Sequence, residues 1–140
     1  MADQTVEPGI YRDFEGKLYF VSGVGRHSEQ EKEEFVVCYP LYQSDSKIWV
    51  WPASMFFDQI EREGYSGPRF VKVLDWHFAN ILPGLRFKDV QTFYSGSIFT
   101  IKQVLEKNGG LSVEVIDADE KKLSIPINYF LTPTSHCEFI

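Results

Sequence analysis

The sequence predicts an all-β protein made of two small barrels in tandem, and three observations lead there. Runs of alternating or continuous apolar residues are short and closely spaced, as strands are. Helical periodicity is nearly absent. The two halves of the chain also repeat the same sequence blocks in the same order.

The first series of strands is expected at about 9–14, 17–24, 34–42, 47–51, 57–62 and 69–74. The second is expected at about 85–90, 97–106, 111–117, 122–127 and 129–132. Turn chemistry separates them: Gln43-Ser44-Asp45-Ser46, Gly64-Tyr65-Ser66-Gly67-Pro68, Lys107-Asn108-Gly109-Gly110 and Asp117-Ala118-Asp119-Glu120. Only 52–56 and 75–81 offer short helical stretches. Pro8-Gly9-Ile10 matches Pro83-Gly84-Leu85, and the strand opening at Gly16 matches the one opening at Gly96. Lys47-Ile48-Trp49-Val50 matches Lys122-Leu123-Ser124-Ile125, and a proline and an aromatic follow each. This repetition predicts an internal duplication, with one unit at 1–74, a linker at 75–82 and a second unit at 83–140. Each series runs strand, strand, polar loop, strand, tight hairpin, strand, 3₁₀ turn and closing strand, the order of an SH3-like barrel.

Composition supports a packed core, with 44% hydrophobic and 16% aromatic residues in 140. The net charge is −6, and the acidity lies mainly in residues 1–70, which hold 12 acidic and 7 basic side chains. No basic cluster is present, so nonspecific nucleic-acid binding is not expected. Met1-Ala2-Asp3-Gln4 precedes no apolar stretch, and no apolar run approaches the ~20 residues of a membrane span. Two cysteines without CxxC spacing fit a reducing cytosol, and Cys38 reads as a small strand hydrophobe.

Six blocks follow one another in the first half: Tyr11-Arg12-Asp13, Gly16 to Val21, Arg26-His27-Ser28-Glu29, Trp49-Val50-Trp51-Pro52, Met55-Phe56 and Pro68-Arg69-Phe70. In that order they resemble an uncharacterised bacterial domain family, one of the domains of unknown function, over residues 9–70. Two positions depart from the family pattern. Asp13 stands where the family has His, and Trp51 stands where it has Arg. The resemblance implies a fold and lends no activity.

Catalytic centres are hard to assemble. Ser28, His27 and Glu29 are adjacent and cannot adopt triad geometry. His136-Cys137 with His27 or His77 lacks the paired spacing of a structural zinc site, so neither metal nor other cofactor is expected. Arg26, His27 and Glu29 open an acidic loop. They read equally as a grip for a polar ligand or as a loop fixed by its own hydrogen bonds. Alternation places Ile48 and Val50 on one side of their strand and Trp49 and Trp51 on the other. The expected interior comprises Leu18, Phe20, Ile48, Val50, Ile98, Ile125 and Tyr129, which leaves the tryptophans outside. Phe35-Val36-Val37-Cys38-Tyr39 is apolar on both faces, so something must cover its outer side: the second unit, another copy or a ligand.

The resulting expectation is a non-enzymatic, cytoplasmic binding module of bacterial or phage type. Tyr39, Trp49 and Trp51 would form a platform on the first unit, rimmed by Arg12, Arg26, His27, Glu29 and Arg69. Its ligand would be a peptide segment or a small anionic, nucleotide-like molecule. Two alternatives stand beside it: a hydrolase or transferase using His27 and Glu29, and a structural homo-oligomer joined through the tryptophan face.

Overall fold

The computed structural model describes residues 6–30, 32–89, 96–131 and 137–140, with the side chains of 137–139 excepted. Among them the protein is nearly all β. Its contacts separate it into two units: residues up to Pro40 with Ser44–His77, and Leu41–Gln43 with Phe78–Ile140.

The first unit contains β1 (Gly9–Asp13), β2 (Leu18–Arg26), β3 (Glu34–Pro40) and β4 (Trp49–Pro52), an antiparallel meander. A single helical turn, α1 (Ala53–Phe56), follows. A separate hairpin, β5 (Gln59–Arg62) with β6 (Tyr65–Pro68), then leads to β7 (Phe70–Asp75), which returns to pair with β1. The sheet order is β4-β3-β2-β1-β7.

The second unit repeats this plan with β8 (Arg86–Asp89), β9 (Ile98–Lys107), β10 (Gly110–Ile116) and β11 (Lys122–Pro126). A 3₁₀ turn at Ile127–Phe130 stands where α1 does, and β12 (Cys137–Phe139) pairs with β8. The order β11-β10-β9-β8-β12 matches the first unit position for position. In both units the fifth strand is added beside the first after a helical turn.

Local chemistry explains the corners. Asp13 Oδ1 accepts the backbone N–H groups of Glu15 and Lys17, both at 2.9 Å, and so ties the β1–β2 turn. Asp117 does the same for Asp119 and Lys121 between β10 and β11, at 2.8 and 2.9 Å. Asp13 is thus a turn anchor here. Asn108 and Gly109, at φ 52° and 80°, make the tight turn that the β9–β10 hairpin requires. At Gly9 a Cβ would lie 2.7 Å from the Leu74 carbonyl oxygen, so glycine permits the close approach of β1 and β7.

The core of the first unit is aromatic. Phe56 stacks on Phe70 at 4.4 Å, Tyr11 meets Phe56 edge-on at 5.3 Å, and Tyr19 meets Phe70 edge-on at 5.7 Å. On the same sheet face Val21 opposes Cys38, and Val36 and Cys38 are fully buried. In the second unit Phe87 contacts Phe99 and Phe130, and Val113 opposes Ile125 in register. The Asn80 side chain donates to the Phe130 carbonyl at 2.8 Å and pins the 3₁₀ turn.

Several expectations need correction. Leu18, Phe20 and Ile125 are buried, but Ile48, Val50 and Ile98 are exposed and Tyr129 is only half-buried. The cause in β4 is register. Val36 opposes Trp51 and Cys38 opposes Trp49, so the tryptophans share the core face and Val50 opposes Val37 on the outer one. A shift of one residue exchanges the faces of a strand. Residues 65–68 form the second arm of a hairpin, where a turn was expected. The stretch 129–132 is not a strand: its first two residues belong to the 3₁₀ turn, 131 lies outside any strand and 132 is outside the described residues. Residues 76–81 form no helix.

Candidate functional site

The inner face of β4 carries the most distinctive arrangement. Trp51 is half-buried, meets Phe70 edge-on at 5.5 Å, and lies beneath the Arg69 guanidinium, 5.3 Å from ring centre to Cζ. Arg69 is held at the entry to β7 by its backbone N–H, which donates to the Asp58 carbonyl at 2.7 Å. Its Nε is buried and has no hydrogen-bond partner among the described residues. A buried guanidinium nitrogen without an acceptor is costly, and native structures normally satisfy such groups. Trp49 shares this face at 42% exposure, and its carbonyl accepts the Cys38 thiol at 3.6 Å. Burial pushes that thiol up to about 12, which leaves Cys38 a protonated hydrophobe at neutral pH.

Tyr39 lies on the opposite face. It is half-buried and stacks on Phe20 with ring centres 6.0 Å apart. Arg12, on β1 between Leu18 and Val71 in register, also belongs to the outer side. Tyr39 and the two tryptophans therefore do not form one platform.

Arg26, His27 and Glu29 are all exposed at the end of the β2–β3 hairpin. Arg26 opposes Glu34 on the core face, one row beyond the Val24–Val36–Trp51 row. His27 Nδ1 accepts the backbone N–H groups of Glu29 and Gln30, each at 3.1 Å. The imidazole proton therefore sits on Nε2, and the ring closes the loop as a capping residue would. The His27 N–H donates to the Glu33 carbonyl at 2.9 Å, which completes the closure. The side chain that fixes this loop is that of His27.

Sequence reasoning missed a groove beside this loop. Glu33, Glu34 and Phe35 on one wall and Pro52, Ala53 and Ser54 on the other enclose about 440 Å³ of open space. The pairing of Phe35 with Pro52 places them together. The available signal was the apolar run beginning at Phe35, which marked a surface needing cover and not a cleft. No group of three His, Cys, Asp or Glu side chains among the described residues could hold a metal ion. His136 lies outside them. No helix among the described residues is long and apolar enough to cross a membrane.

No curated protein matches the chain. A crystal structure of a protein of the DUF1653 family from Bordetella bronchiseptica is similar at 26% identity, covering 54% of this chain and 96% of that one, with a TM-score of 0.48. Residues 9–72, within the first unit, match the model of the family described as "Protein of unknown function (DUF1653)".

Proposed function

We propose that the first unit is a non-enzymatic binding module for a small anionic ligand, which Arg69 holds against the tryptophan face of β4. The observation that carries this reading is the buried Arg69 Nε without an acceptor, on a guanidinium already oriented by the Trp51 ring. A carboxylate or phosphate oxygen would satisfy that donor, and the planar fork suits two oxygens at once. The partly exposed Trp49 offers a stacking surface on the same face, which suits a nucleotide-like ligand. Arg26 lies on that face as well and adds positive potential at its outer end. A hydrolase or transferase would have to work through His27 Nε2, because Nδ1 is engaged in its own loop.

The test is to titrate AMP, inorganic phosphate and citrate separately into the whole chain while following tryptophan fluorescence. At least one should quench it saturably. Arg69→Ala should then raise Kd by about 30-fold, equivalent to the ~2 kcal/mol of a lost charge-assisted pair. Arg69→Lys should restore only part of the affinity, since an ammonium cannot present the fork. No response to any of the three at millimolar concentration, or an unchanged Kd in Arg69→Ala, refutes the proposal.

A further inference from the structure

The outer face of β3 and β4 is a different surface, and it carries large apolar side chains. Val50 is 55% exposed and Ile48 56%, with Pro52 exposed and Phe35, Val37 and Tyr39 half-buried. Register pairs Phe35 with Pro52 and Val37 with Val50, and the alternation of each chain continues to Tyr39 and to Ile48, just before β4. Rows on one face of a strand are about 7 Å apart, so three rows span roughly 14 Å, the length of about five extended residues. At one end the stripe enters the groove between Phe35 and Pro52–Ser54, whose wall carries Glu33 and Glu34. Lys32 lines it too, leaving two carboxylates to one ammonium. Lys47 precedes Ile48 at the other end.

We propose that this stripe and groove dock an extended peptide segment of a partner protein, with a Lys or Arg at the Glu33–Glu34 end and apolar side chains at alternate positions. Only alternate side chains of an extended chain face one way, and the three apolar rows match that period. The charge asymmetry fixes which end takes the cation. Size favours a peptide over a second copy of this chain. Six partly exposed side chains offer on the order of 400 Å², about half of the ~800 Å² each partner contributes to a standard interface. Neither the stripe nor the groove includes Arg69, so the success or failure of this surface is separate from that of the anion site.

The probes are fluorescein-labelled hexapeptides Arg-Ile-Ser-Val-Ser-Val and its reversed order, each paired with a version carrying Glu for Arg. Binding to the whole chain is read by anisotropy. An Arg peptide should bind at least tenfold more tightly than its Glu counterpart. Val50→Asp and, separately, Ile48→Asp should each weaken it at least tenfold, with near-UV circular dichroism confirming an intact fold. Glu34→Lys should reverse the preference towards the Glu peptide, while Arg69→Ala should leave it unchanged. Equal binding of Arg and Glu peptides, binding insensitive to both Asp variants, or no binding at millimolar protein would each overturn the proposal. So would sedimentation showing a dimer that Val50→Asp dissociates, since the occupant would then be a second copy.

Discussion

Replacing Trp51 with alanine distinguishes a core tryptophan from a surface one, and the structure sets the scale of the loss. A fully buried tryptophan removes about 150–250 Å² from water, or roughly 4–6 kcal/mol at 25 cal/mol/Å². Trp51 is only half-buried and the Cβ remains after truncation, which lowers the figure to about 2.5 kcal/mol. Losing the edge contact to Phe70 and the Arg69 stack adds about 1 kcal/mol. The expected destabilisation is therefore about 3.5 kcal/mol. Trp49, at 42% exposure and without a ring partner described, should cost only about 1 kcal/mol on the same change. Urea unfolding followed by far-UV circular dichroism measures both. If Trp51→Ala costs no more than Trp49→Ala, or if both fall below about 0.5 kcal/mol, the tryptophans face outward and the register argument fails.

Glu63, at φ 47° in the β5–β6 turn, occupies a conformation that asparagine tolerates better. Glu63→Asn should raise stability by about 0.5 kcal/mol in thermal melts, and a loss would show that its side chain holds the turn. The Cys38 thiol is held at about 12 against 9.0 unfolded, so the folded state keeps this proton longer. Its contribution is fully present below pH 9 and is lost as pH rises from about 9 towards 12. Urea midpoints should therefore fall more steeply between pH 8 and 10.5 in the parent than in Cys38→Ala. Parallel pH dependence in the two would rule this out.

Strand positions were legible because turn residues bracket them: Asp13 and Gly16, Asn108 and Gly109, and Asp117 with Glu120 mark corners that the structure uses. Strand faces were not legible. In Phe35 to Tyr39 both parities are apolar, so alternation carries no information about which side meets the core. The decision rests on Phe56 and Phe70, contributed from elsewhere in the chain. Once they occupy the interior, Val36 and Cys38 turn inward and Trp51 follows. The proposed platform failed as a unit for the same reason, since Tyr39 and Trp51 have opposite parity. Gly64 to Pro68 read as loop because Gly, Ser and Pro dominate it, yet a two-stranded hairpin tolerates proline where no further strand must pair. The Arg69 stack left no local pattern, because Trp51 and Arg69 are distant in sequence.

The way each unit ends its sheet also has a consequence for the order in which it assembles. Hairpins such as β9–β10 join neighbours across an Asn-Gly turn, so little chain entropy is spent in closing them. β1–β7 and β8–β12 instead join the first strand of a unit to its last. Such a seam can form only after the meander has brought its edges within reach, which places it late in folding. The same seam rests on one neighbouring strand, because β7 and β12 each lie at the end of their sheet. Amide exchange in the native state should therefore begin at these last strands, and the meanders should stay closed while the seams open.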